Sequence, residues 1–412
     1  MKRCFENAVA KLYKNVETYK FFSYLCANLL DNITNTERIK MKKSILLLTI
    51  SFLSLSCLAQ NKAEDVLNAT RKVNNYFMQK YADPTLPSNV GKVRPSNIWT
   101  RGVYYEGLMA LYEVDKDQRY IDYTDIWGNF HKWLLRDGKS TRNADNQCCG
   151  QAYIARFLQT GDSTRLRAIV ENINSQMEEK AVDAWTWIDA IQMAMPIYAQ
   201  LYKMTGNKKY MEKAWKMYCW TRNECGGGLF NTKEGLWWRD KDFVPPYQEK
   251  DGNNCYWSRG NGWVYAALVR TMDQLNPKDK YFKLFKKDYL AMSKAIIKCQ
   301  REDGLWNVSM VSPITFGGKE ITGSSLFLYG ISYGIMKGYL NETTYRPVAD
   351  KTWSAIAKDA IHRDGFLGYV QGTGKQPSDS QPVTYDRVPD FEDFGTGCFL
   401  LGAAEYYKLL LK

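Results

Sequence analysis

Residues Ala152–Met177 read "AYIARFLQTGDSTRLRAIVENINSQM", and their pattern decides the fold. An apolar helix runs into a short polar turn that holds Gly161 and Asp162, and a second, amphipathic helix follows. Gly107–Phe130 ("GLMALYEVDKDQRYIDYTDIWGNF") and Ile197–Glu224 ("IYAQLYKMTGNKKYMEKAWKMYCWTRNE") share this plan, and looser copies lie around Leu268–Gln300 and Ile331–Ile361. A last apolar helix, Phe399–Leu411, would pair back with the start. Five or six helical hairpins fit either an open solenoid or a closed toroid of inner and outer helices. The terminal "CFLLGAAEYYKLLL" is too apolar to cap an open end, which favours closure. The expected class is all-α, with one domain over residues 60–412, because no Pro/Ser-rich linker interrupts that span.

The connections after the second helices carry their own signal. Glu234-Gly235-Leu236-Trp237, Asp303-Gly304-Leu305-Trp306 and Asp364-Gly365-Phe366-Leu367 each set an acidic-Gly turn before apolar residues. Repeated at the same point of successive hairpins, they would place loops on one rim, where sites usually sit.

Met41 opens "MKKSILLLTISFLSLSCLAQ", with a basic start, a short apolar run and a small-residue cleavage site before Gln60. This reads as a secretory signal over 41–59, too short to span a bilayer. Residues 1–40 then read as a mis-assigned upstream extension. The mature protein would be exported, periplasmic in a bacterium with two membranes, with lipidation of Cys57 as the alternative. The first 59 residues hold nine Lys/Arg and four Asp/Glu, so without them the net charge falls from +12 to +7. That balance modestly favours anionic partners, but the cations are scattered, which argues against nucleic acid.

Seven cysteines follow residue 59, an odd number without a C-x-x-C pair, so neither a disulfide framework nor a zinc site is expected. Cys219 and Cys225 are the two that could pair. His131 and His362 are the sole histidines, both in outer-helix contexts, which weighs against any mechanism that needs a histidine pair.

Three stretches could carry chemistry. "YWSRGNGW", Tyr256–Trp263, sets Arg259 between Trp257 and Trp263, with Asn261 between two glycines. Arginine's planar fork suits a carboxylate, tryptophans suit a sugar face, and the glycines permit close backbone approach or positive φ. "AWTWIDAIQMAMPIYAQLY", residues 184–202, places Asp189 beside an apolar helical stripe, one turn from Trp185, Gln192 and Met193. Desolvation there would favour the protonated form that a general acid requires. In "NADNQCCGQAYIARF", residues 143–157, Asp145 and Asn146 taken alone read as N-caps. In a toroid, however, Asp145 and Asp189 would face one cavity from successive inner helices, and paired acids suit glycoside chemistry. Trp99, Arg101 and Tyr104 open the first inner helix and could add to the rim.

Taken together, "WIDAIQMAMP", "YWSRGNGWVYAAL", "EITGSSLFLYGISYGI" and "DFGTGCFLLGAAEYY" resemble, in that order over most of residues 95–412, the unsaturated glucuronyl and rhamnogalacturonyl hydrolases of glycoside hydrolase families 88 and 105. The long loop ahead of the second string looks closest to the family 105 branch. The resemblance implies an (α/α)6 barrel and an exo-acting enzyme whose substrates are oligosaccharides with a 4,5-unsaturated uronic acid at the non-reducing end. It implies Asp189 as acid/base and Asp145 as the second carboxylate, with Trp257, Arg259 and Trp263 lining the pocket. It implies no metal or nucleotide cofactor. One departure stands out: where family members often carry a histidine in a context like "GLFYH", this chain has "GLFNTKEGLWW" with Asn231, so Trp237, Trp238 or Arg239 would build that subsite instead.

Three other readings compete. A 2-epimerase-like toroid would rely on histidines. A glycosidase acting on saturated uronides would act through the same two carboxylates. A non-catalytic oligosaccharide-binding protein would explain Arg259 and the tryptophans but leave Asp189 without a purpose.

Overall fold

Twelve longer helices carry the fold in the computed structural model, which describes residues 60–89, 93–387 and 393–412. They are α1 (helical over 66–80), α2 (Trp99–Val114), α3 (Gln118–Phe130), α4 (Cys149–Thr160), α5 (Thr164–Glu178), α6 (Asp189–Thr205), α7 (Lys208–Asn223), α8 (Ser258–Met272), α9 (Lys280–Lys298), α10 (Ile321–Met336), α11 (Glu342–Ala355) and α12 (Asp393–Leu410). The polar turns between them work as their composition predicts. Gly161 and Gly206 take the left-handed conformation just past α4 and α6, which ends those helices. Asp117, Asn207, Asp279 and Asn341 each accept a backbone N–H from the first turn of the helix that follows, at 2.8–3.1 Å.

The even-numbered helices are the inner ones. They pack in the order α2–α4–α6–α8–α10–α12 and back to α2, so the ring is closed and the solenoid alternative falls. Closure depends on small residues. A Cβ on Gly397 of α12 would lie 2.2 Å from the Val103 carbonyl oxygen of α2, and one on Gly107 would lie 2.4 Å from the Gly397 oxygen. The two backbones therefore touch, and only glycine fits.

The acidic-Gly turns organise the outer layer. Gly235, Gly304 and Gly365 all have positive φ, and each is seated against the backbone of an outer helix, near Ala291 of α9, Lys351 of α11 and Lys72 of α1 respectively. The same contact repeated on α9, α11 and α1 identifies α1 as the sixth outer helix. The architecture is an (α/α)6 barrel. Among the described residues three two-stranded antiparallel pairs decorate it: β1 (Ser88–Asn89) with β2 (Val93–Arg94), β3 (Phe230–Asn231) with β4 (Leu236–Trp237), and β5 (Trp306–Asn307) with β6 (Lys319–Glu320).

Two expectations need correction. The last helix is already formed at Asp393, six residues before Phe399, because Gly397 serves the contact with α2 and Gly395 lies against Val370. Cys219 and Cys225 are free thiols, not a disulfide. The signal segment, Cys57 and residues 1–40 lie outside the described residues. Among the described residues no helix is long and apolar enough to cross a membrane.

Candidate active site

The inner helices all begin at one mouth of the barrel, and a cavity of about 310 Å³ lies there, lined in part by Trp99, Asp145, Trp187, Asp189, Met193 and Arg239. Asp189 is the first residue of α6, 8% exposed, and Met193 follows one turn later on the same helix. Asp145 reaches the cavity from a one-turn helix, Ala144–Gln147, that precedes α4. The cap of that turn is Asn143, whose side chain accepts from the Asp145 N–H at 2.9 Å, which leaves the Asp145 carboxylate available for the cavity. Trp99, the first residue of α2, forms another wall and meets Trp263 edge-on behind it. A second cavity of about 340 Å³ adjoins, sharing Arg94, Trp99 and Asp145 and adding Arg136 and Asn143.

The remaining residues chosen from sequence do not line this cavity. Arg259 has no exposed surface. Its Nη1 donates to the Gln371 carbonyl at 2.6 Å and its Nη2 to that of Gly372 at 2.7 Å, while the guanidinium lies over the rings of Trp257 and Phe394. Trp257 donates from Nε1 to Gln371 Oε1 at 2.8 Å. Arg259 and Trp257 thus hold the 371–372 segment, and the next two residues, Thr373 and Gly374, are the ones that reach the cavity. Asn261 clamps Trp237, accepting from its N–H at 2.8 Å and donating to its carbonyl at 3.0 Å. Trp185 is buried against Tyr198, and Tyr104 stacks on Phe77 and donates to Asn74. Gly260 and Gly262 permit close approach, to Ile188 and Leu326, and their φ is ordinary.

Arg239 and Trp187 are the main additions. Arg239 is the one of the three replacement candidates that lines the cavity; Trp237 is fully buried, and Trp238 packs on Tyr256. Asn231 donates to the Tyr256 hydroxyl at 2.7 Å and lies away from the acids. Trp187 was missed because helical spacing was applied upstream of Asp189, where the chain is extended. Trp187 instead pairs with Asp240 as an isolated antiparallel bridge, and the Ile188 N–H donates to the Arg239 carbonyl at 2.9 Å.

The electrostatics separate the two acids. Asp189 accepts from Arg239 Nε at 3.2 Å, and Arg239 also donates from Nη1 to Asp240 at 2.6 Å. Burial pushes the Asp189 pKa upward, while Arg239 and then Arg259 pull against it. Asp145 has no comparable partner among the described residues: burial, reinforced by the charge of Asp189, raises it to about 7. Asp145 is thus able to hold a proton near neutral pH. Neither histidine takes part. His131 contacts Ser96, and burial lowers its pKa to about 4, while His362 stacks on Tyr385. Among the described residues no group of three or more His, Cys, Asp or Glu is arranged to hold a metal.

The sequence matches Glycosyl Hydrolase Family 88 over residues 69–410. The protein belongs to this family. Several relatives align with this family 88 chain over most of its length. An enzyme of Formosa agariphila named unsaturated 3S-rhamnoglycuronyl hydrolase is 29% identical over 76% of this chain and 84% of its own length. A solved family 88 glycosyl hydrolase from Bacteroides vulgatus superposes with TM-score 0.77 at 28% identity, covering 84% of this chain and 99% of its own. A solved chain named as a polysaccharide lyase gives TM-score 0.76 at 27% identity, covering 84% and 98%. Solved family 105 structures share the fold. The resemblance to families 88 and 105 read from the sequence is borne out.

Proposed function

We propose that this family 88 glycoside hydrolase removes a 4,5-unsaturated uronic acid from the non-reducing end of lyase-generated oligosaccharides by hydrating the C4=C5 bond. The observation that carries this reading is the pairing of Asp189 and Asp145 in one cavity walled by tryptophans, with Arg239 on Asp189. Asp189 delivers a proton to C4 of the enol ether, and water adds at C5. The carboxylate left behind takes the proton of that water. The hemiketal so formed opens and releases the partner sugar. Asp145, itself able to hold a proton near neutral pH, keeps the pair from being doubly ionised. Trp99 and Trp187 supply flat apolar walls for the ring.

The adjoining cavity supports a finer reading of the substrate. Arg94 and Arg136 stand beyond Asp145, so the next sugar bears an anionic substituent, in keeping with the relative named for a 3S-rhamnoglycuronyl substrate. Export by the signal over 41–59 would put the enzyme where such oligosaccharides arrive. Periplasmic fractionation, with N-terminal sequencing that starts near Gln60, tests this.

The decisive experiment follows the ultraviolet absorbance of the conjugated double bond in lyase-generated oligosaccharides. Wild type is expected to remove it, faster for anionic than for neutral next sugars, and Asp189→Asn to slow it by roughly 10²–10⁴-fold. Constant absorbance with all substrates would overturn the reading. A second reading, elimination, is favoured by the similarity to the chain named as a lyase. It predicts the opposite sign, an absorbance that rises on intact uronate polysaccharide.

A further inference from the structure

The guanidinium of Arg239 is committed at two of its three nitrogens, Nε to Asp189 Oδ2 and Nη1 to Asp240 Oδ2. Nη2 has no protein acceptor among the described residues, and the side chain, 19% exposed, belongs to the cavity wall. The backbone beneath it is fixed. Trp187 pairs with Asp240, the Ile188 N–H donates to the Arg239 carbonyl, and Asp240 Oδ1 accepts from the Asp242 N–H at 2.9 Å. A forked cation, mostly buried, locked at its base and open at one nitrogen toward the cavity, is the arrangement that binds a carboxylate.

We propose that Arg239 is the receptor for the substrate's carboxylate, and that by turning to it Arg239 releases Asp189 to take up the proton the reaction consumes. The proposal rests on the hydration reading above. In the resting cavity one guanidinium serves two carboxylates, Asp189 and Asp240. The other charges facing this pair are Asp145 from the turn before α4, Arg259 from α8, and Arg94 and Arg136 beyond Asp145. A bound uronate adds another anion against Arg239. Carboxylates crowded in a mostly buried site do not all stay ionised. Asp240 keeps its bonds to Arg239 Nη1 and to the Asp242 N–H, whereas Asp189 holds the guanidinium through Nε alone at the longer distance. Asp145 can already hold a proton near neutral pH, so of the carboxylates on Arg239 it is Asp189 that accepts one from solvent when the uronate binds.

The subsequent steps balance. The Asp189 O–H breaks as its proton and the C4=C5 π pair form the C4–H bond, which leaves a cation at C5 shared with the ring oxygen. Water attacks C5, and its proton returns to the Asp189 carboxylate. The acid is armed only when a carboxylate is present, so a neutral sugar of the same shape would bind without being prepared for reaction.

Two measurements test this, with D-glucuronate as the probe and glucose as the neutral control. Calorimetry of glucuronate binding to wild type at pH 7, in two buffers of different ionisation enthalpy, is expected to show net proton uptake, at least halved in Asp189→Asn, where Asp145 alone can take up the remainder. Arg239→Gln is expected to weaken glucuronate at least tenfold and to leave glucose unchanged. In hydration assays Arg239→Gln raises KM at least tenfold. It also moves the alkaline limb of kcat to higher pH, because the cation that pulls the Asp189 pKa down against burial is gone. Arg239→Lys, which keeps the charge but not the fork, falls between in KM and leaves the limb near that of wild type. Equal glucuronate binding by wild type and Arg239→Gln, no preference over glucose, or binding without proton uptake would overturn the proposal. If wild type leaves the double bond intact, the hydration reading fails on its own, and the binding comparison still decides whether Arg239 is the receptor.

Discussion

Burial beside Asp189 makes the charge of Asp145 costly to the fold. Its pKa rises from the ordinary 3.8 to about 7, so between those values the folded state holds a proton that the unfolded state has released. Its contribution to stability therefore falls as pH rises across that window and is lowest above it. Asp145→Asn is expected to abolish that slope and to gain about 1–3 kcal/mol at pH 8, with little change at pH 4, as read by urea unfolding at the two pH values. Arg259 has the opposite character. Arg259→Met leaves the Gln371 and Gly372 carbonyls without their donors and should cost about 2–4 kcal/mol. Its KM should rise as well, because Thr373 and Gly374 follow in the same segment; loss of binding with unchanged stability would restore a direct role. The two residues were not equally legible. Asp189 could be found from sequence because a carboxylate beside an apolar helical stripe is conspicuous, whereas Asp145, which alone reads as a cap, was found through the pairing that a toroid imposes. Arg259 among tryptophans was conspicuous too, but its partners are backbone carbonyls more than 100 positions away, and no residue type announces a carbonyl.

At the scale of elements, the contact between α2 and α12 is the tightest constraint. Gly397→Ala would drive a methyl carbon to within 2.2 Å of the Val103 oxygen, so one of the two helices must move. A cost of about 3 kcal/mol or more is expected, seen as a lowered unfolding midpoint at unchanged m-value. By contrast Asn207→Ala removes one exposed cap on α7 and should cost about 1 kcal/mol. The hairpin repeat was legible because its caps and its apolar period are local. The start of α12 was not, since Gly397 answers to α2, far away in the chain, and Gly395 to Val370. The extended approach to Asp189 misled for a related reason: its bridge to Asp240 is nonlocal, and helical spacing upstream of the helix chose Trp185 over Trp187.

For the whole molecule, closure makes the helices depend on one another. Removing residues 393–412 takes away the partner of both α2 and α10 and exposes two apolar inner faces at once. A chain ending at residue 392 is expected to be insoluble or to lack a cooperative thermal transition by calorimetry. An open solenoid would merely have shortened. The toroid itself could be anticipated from the apolar last helix, whereas the series of turn glycines seated on α9, α11 and α1 became visible only in three dimensions. The contact of Gly107 with Gly397 also bears on motion. Helices whose backbones touch have no side-chain layer between them to yield, so the inner ring cannot breathe to admit a sugar. In amide exchange the central turns of α2 and α12 should open only with global unfolding. Exchange in the segments around 239 and 373 should be faster by orders of magnitude, which makes them the parts that accommodate the substrate.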